Sequence, residues 1–114
     1  MTTAPVHRDL AGGRWASFSL AEQMGNIGSE VDRAFRARSR GDAARADAAF
    51  ARALELFDLS GADDRWRGHR RREQRRAREL FCATFLSDAS DAAAADDAAF
   101  LSRYFLQFAV AARR

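Results

Sequence analysis

Ser19 to Leu59, SLAEQMGNIGSEVDRAFRARSRGDAARADAAFARALELFDL, contains two helices and the reversal between them, and its pattern decides the fold. Ser19 and Glu22 have capping-box spacing, in which a serine hydroxyl and a glutamate three residues later satisfy backbone N–H groups left unpaired at a helix start. Leu20, Met24, Ile27, Val31, Ala34 and Phe35 then recur at three- and four-residue steps, an apolar stripe of helical period that runs to Gly41. Gly25 and Gly28 interrupt it at about 1 kcal/mol each in helix propensity, a cost consistent with close approach by a neighbouring helix. Gly41 suits a left-handed residue after the helix, and Asp42 can cap the next one, so the two helices are predicted to be antiparallel neighbours. The second stripe is Ala43, Ala46, Phe50, Ala53, Leu54 and Phe57, with Arg45, Arg52 and Glu55 turned outward.

The same period continues beyond Leu59. Ser60 to Asp63 is a short connection, and a third helix is predicted from Asp63 or Asp64, where acids favour the N-terminus, with Trp66, Ala77, Leu80, Phe81 and Thr84 on one face and an end before Asp88. Ser87 to Asp97, rich in alanine and aspartate, is compatible with a loop, an extended cap or the first turn of a fourth helix. Leu101, Tyr104, Phe105, Phe108 and Ala112 form the stripe of that helix. No segment alternates as a strand does. The expected fold is all-α, an antiparallel four-helix bundle over residues 16–114, preceded by a mobile leader over 1–15 that contains Pro5 and the Gly12-Gly13 pair and ends in Trp15 as an aromatic anchor at the edge of the core.

Composition bounds the chemistry. The 114 residues suit one domain, and 47% hydrophobic against 31% charged residues is globular rather than disordered composition. No long apolar run and no secretory leader pattern are present, so the expectation is a cytoplasmic protein without a membrane partner. Cys82 is the only cysteine, and His7 and His69 have no ligand spacing, which leaves no metal, no cofactor and no catalytic constellation to assign. Cys82 lies off the core direction with no base beside it, and Gly25 to Gly28 sits inside a helical stripe, not in a phosphate loop. A non-enzymatic role is expected.

All 19 basic residues are arginine, a bias that high-GC coding can produce, so placement matters more than number. Between Arg65 and Arg78 stand eight arginines and one acid, Glu73, while the rest of the chain has eleven arginines and fifteen acids; the net charge is +3. On a helical wheel, Arg65, Arg67, Arg71, Arg72, Arg75, Arg76 and Arg78 fan around the side opposite the apolar stripe. These seven are the candidate nucleic-acid contacts, because guanidinium forks match phosphate and each neutralised phosphate releases counterions. Arg70 and Glu73 fall toward the apolar side, where they are expected to pair with each other or with Gln23, Asn26 or Glu30. Two readings follow: a bundle that binds RNA or DNA, and an interaction bundle whose arginines dock an acidic protein. Phe100, Leu56 and Leu59 lie off the main stripes, a pattern that predicts a homo-oligomer.

The order of elements, with Phe18-Ser19-Leu20-Ala21-Glu22-Gln23 opening a small-residue helix and an arginine-rich third helix, resembles small bacterial four-helix-bundle proteins over about Trp15 to Arg114. That group includes the accessory variability determinant of diversity-generating retroelements and the protein encoded in ribosomal RNA intervening sequences. The resemblance implies a homo-oligomeric, pentameric basic bundle that associates with a reverse transcriptase and its template RNA and performs no chemistry itself. The Arg65 to Arg78 face would then carry the contacts.

Overall fold

A computed structural model describes residues 13–88 and 90–113. Four helices, α1 (Leu20–Ser39), α2 (Ala43–Gly61), α3 (His69–Phe85) and α4 (Ala92–Ala112), follow a 3₁₀ turn over Arg14–Ser17, and the described residues contain no strand. The expected leader falls mostly on residues outside those described, but its last residue does not. Trp15, the aromatic anchor at its end, is buried, and its indole N–H donates to Ser60 Oγ at 3.0 Å.

Local signals behave as their chemistry dictates. Ser19 Oγ accepts from Glu22 N at 3.1 Å while Glu22 Oε1 accepts from Ser19 N at 2.9 Å, closing the capping box that starts α1. Gly41 takes φ +74°, and Asp42 caps α2 by accepting from Arg45 N at 3.2 Å. Asp91 caps α4 through Ala93 N and Ala94 N, so within the Ser87 to Asp97 stretch the residues from Ala92 onward are the start of that helix.

Contacts between helices define the topology. Gln23 and Glu30 of α1 meet Ser60 and Arg52 of α2, in that order, and Asp32 meets Ser102 of α4 while Gly28 meets Phe105. Phe50 and Phe57 of α2 lie against Phe85 and Phe81 of α3, and Glu73 of α3 meets Tyr104 of α4. These contacts of α1 with α2, α1 with α4 and α2 with α3 run in opposite chain order, consistent with antiparallel packing; α1 packs along both α2 and α4, and α3 sits diagonally across from α1. The centre is Met24, Ile27, Val31, Leu56, Phe57, Phe81, Leu101 and Phe105. Leu56, expected at an oligomer surface, is part of this core.

The α1–α4 seam is set by absent side chains. A Cβ on Gly28 would stand 2.4 Å from Phe105 Cβ, and one on Gly25 would stand 3.3 Å from the Ala109 backbone. Two glycines one turn apart therefore admit α4 closer than alanine would allow, which offsets their propensity cost.

Candidate nucleic-acid interface

The arginine segment is divided by a chain reversal that its sequence concealed. Helix α3 begins at His69 rather than at Asp63 or Asp64, because the acid that seemed to open a helix is used otherwise. Asp63 accepts from Gln23 Nε2 at 2.9 Å and from Arg65 at the backbone N and guanidinium, with the shortest contact at 2.7 Å. The Arg65 hydrogen bonds hold the Asp63 carboxyl well below the usual carboxylate range. Trp66, expected on the helix face, instead plugs the core from the connection, its indole N–H donating to Gln23 Oε1 at 2.7 Å. Gly68 then adopts φ +60°, a conformation disfavoured for side-chain-bearing residues, and the chain turns into α3.

Gln23 is the hub of this corner. Fully buried, it accepts from Ser60 Oγ and Trp66 Nε1 and donates to Trp15 O and Asp63, so one amide joins the 3₁₀ turn, α2 and the α2–α3 connection. In α3 the inward polar residues are Gln74, bonded to Phe57 O at 2.9 Å, and Thr84, and not the predicted Arg70 and Glu73. Both of those are exposed. Glu73 accepts from Tyr104 Oη at 2.6 Å, and burial, reinforced by that carboxylate, pushes the Tyr104 hydroxyl pKa up, so it remains a donor at neutral pH.

The seven predicted arginines separate by what they touch. Arg65 and Arg67 precede the helix; Arg65 is fastened to Asp63 and to the carbonyls of Ala16 and Phe18, and Arg67 donates to Asp64 O. Arg71 turns back to Trp66 O at 2.7 Å, and Arg78 pairs with Asp58 of α2 at 3.2 Å. Four of the seven thus have an internal role, and the single seven-arginine fan is corrected to a smaller one. Arg72, Arg75 and Arg76 remain, exposed on the outward side of α3 with no ion pair or hydrogen bond among the described residues. Exposed Arg70 is equally unpaired at the start of the helix. The first turn of α3 has no acid and no side-chain cap, so its positive dipole end and its arginines repel each other.

A second arginine cluster went unnoticed in the sequence. Arg33 and Arg36 of α1, Arg40 at its C-terminal cap, and Arg45 and Arg52 of α2 line a groove floored by Ala37, Ala48 and Ala49. Among the described residues four of these five charges are answered, Arg40 being the exception. Glu30, nearly buried, bridges Arg33 at 2.9 Å and Arg52 at 3.1 Å, Asp42 takes Arg45 at 3.4 Å, and Asp32 lies 3.9 Å from Arg36. The i, i+3 and i, i+4 spacing of these acids and arginines was the available signal.

No known protein family, curated protein or solved structure matches this chain. No helix among the described residues is long and apolar enough to cross a membrane, and no group of three or more potential metal ligands occurs among them.

Proposed function

We propose that this chain is a non-enzymatic helical bundle that binds nucleic acid, RNA or DNA, through the outward face of α3. The observation that carries the reading is the unpaired trio Arg72, Arg75 and Arg76, adjacent on one exposed face and uncompensated by acids of α2 or α4. Guanidiniums that lack protein partners lose nothing when they meet phosphate, whereas Arg65 and Arg78 would first have to release carboxylates. An anion beside the uncapped first turn also relieves the repulsion between the dipole and the arginines. The resemblance in element order adds a reverse transcriptase with its template RNA as the partner to test first.

Replacing Arg72, Arg75 and Arg76 together by glutamine should weaken binding across sequences, since phosphate contacts position a complex without reading bases. The log–log salt slope for duplex should fall by about 0.9 per lost contact, close to 3 in all. Unchanged affinity and slope in the folded variant would remove this face as the site. Binding of an acidic protein in place of nucleic acid would favour the docking alternative.

The proposal includes self-association through α4. Its outer side presents Ala92, Ala95, Ala99, Leu106 and Val110, the last two 58% and 43% exposed, so α4 is apolar nearly all round, as helices covered on every side are. Asp96 and Arg103 lie on this same side two turns apart, and an antiparallel second copy brings each beside the other's opposite charge. Light scattering should report a mass above the monomer that falls when Leu106 and Val110 are both changed to aspartate; a wild-type monomer at micromolar concentration would sink the idea.

A further inference from the structure

Beside the unpaired arginines, α3 and α4 leave a cleft of about 220 Å³, walled by Ala77, Leu80, Phe100, Leu101 and Tyr104, with Glu73 and Arg76 at its rim. Its wall is almost wholly apolar, and Phe100 is 51% exposed at its mouth, in a helix whose Phe105 is buried and whose Tyr104 and Phe108 are half-buried. Phe100 and Tyr104 stand nearly parallel, 20° apart with centroids at 6.3 Å, so the exposed Phe100 ring is a platform stacked on Tyr104 one helical turn along. The Tyr104 hydroxyl is committed to Glu73 Oε1, which fixes the second ring. Arg76 is shared: it stands at the cleft rim and belongs to the unpaired trio on the outer face.

We infer that this cleft takes an unpaired nucleobase, and that the protein therefore prefers single-stranded to duplex nucleic acid. The inference rests on the nucleic-acid reading above and specifies how that surface engages its ligand. A base offers a flat apolar face to Phe100 and polar edges to the rim, where Arg76 supplies donors and the outer oxygen of Glu73 an acceptor. Arg72, Arg75 and Arg76 hold the phosphates on either side. Base faces within a duplex are stacked on each other and closed to such a platform, whereas single strands can splay a base onto an aromatic ring next to a basic track. An apolar cleft meant for a greasy ligand alone would have no use for a guanidinium at its rim; charge and ring together match a nucleotide.

The test is fluorescence anisotropy with labelled oligouridylate, the corresponding oligodeoxythymidylate, and duplex RNA and DNA of equal length, using the full chain. Wild type should bind the single strands more tightly than the duplexes. Phe100→Ala should lose roughly five- to hundredfold in single-strand affinity, the range for one stacked base, with duplex affinity unchanged. Phe100→Trp should retain or strengthen single-strand binding, and Phe100→Leu, which keeps apolar bulk without a flat face, should lose it. Oligouridylate against oligodeoxythymidylate separates RNA from DNA within the same site.

Equal affinity for single strand and duplex, or single-strand affinity unaffected by Phe100→Ala, overturns the base site. If the glutamine variant of Arg72, Arg75 and Arg76 still loses affinity in that case, phosphate binding by α3 stands without it. Absence of binding by wild type to every probe overturns both. A Phe100→Ala variant that changes mass on light scattering but not nucleic-acid affinity assigns the ring to self-association and likewise ends the inference.

Discussion

Two arginine clusters of similar size lie on the same bundle and differ in whether their charge is answered. Between α1 and α2, Glu30, Asp32 and Asp42 each reach an arginine, and the guanidiniums lie along a groove floored by alanine. On α3, only Arg71 and Arg78 find a place within the fold, and Arg72, Arg75 and Arg76 project without partners. Paired surface charge adds little stability, typically below about 1 kcal/mol, but it also removes free positive charge from the surface. Like charges at i, i+3 and i, i+4, as Arg72 with Arg75 and Arg76, cost a few tenths of a kcal/mol each, and the nearest acid on that face is Glu79, one turn further on. The α1 side therefore uses most of its charge within the fold, and the α3 side leaves charge free for the proposed ligand.

That contrast breaks most readily at Gln23. Gln23→Leu leaves Trp66 Nε1 without a partner and removes one bond each from Ser60 Oγ and Trp15 O, and should cost about 3–5 kcal/mol in denaturant unfolding, because an unsatisfied buried donor costs about 1–3 and each further lost hydrogen bond about 1. A loss under about 1 kcal/mol would mean that water or rearrangement satisfies that corner. Gly28→Ala comes next. It inserts a methyl where Phe105 Cβ lies 2.4 Å from the added atom, and the helix-propensity gain of about 1 kcal/mol offsets only part of the overpacking, leaving a net loss of about 1–2. Thermal unfolding would show it, and a stabilised variant would show that the seam yields freely.

A smaller effect is expected in acid. Because the folded-state pKa of Asp63 is depressed, its contribution is present above the ordinary carboxylate value and disappears as pH falls below about 4. Asp63→Asn should flatten that limb of the stability-against-pH curve while lowering the plateau at neutral pH; an unchanged limb would move the acid sensitivity to another carboxylate. Smallest of all should be the stability change in the glutamine variant of Arg72, Arg75 and Arg76, within about 0.5 kcal/mol and if anything favourable. A loss above 1 kcal/mol would show that the α3 arginines hold the fold after all, and the contrast with α1 would collapse.

The start of α3 shows where sequence reasoning failed and why. Asp63-Asp64 ahead of a periodic segment has the local chemistry of a helix start, and nothing nearby says that Asp63 is already taken by Gln23, forty residues earlier, and by Arg65. Placing Arg70 and Glu73 inward followed from a wheel that treated Trp66 as helical; once the helix begins at His69, Gln74 faces the core and Glu73 turns to Tyr104. Phe100 was noticed as off-stripe, but the cleft beside it needs Leu80 and Ala77 of another helix to exist.

What the amino-acid order determined alone was whatever acts within about one helical turn: the Ser19–Glu22 box, the Gly41–Asp42 reversal, the four apolar stripes, and with them the all-α bundle. Caps and periodicity are local because they depend on backbone N–H groups and on the 3.6-residue turn. What only the tertiary structure decided was which arginines are free. Pairing is a matter of distance between groups far apart in sequence, as Arg78 with Asp58 and Arg65 with the carbonyls of Ala16 and Phe18 illustrate, and a helical wheel gives a direction without a neighbour. The candidate site was reduced from seven arginines to three for that reason: free charge is what the fold has left unpaired, and this cannot be counted until the fold is known.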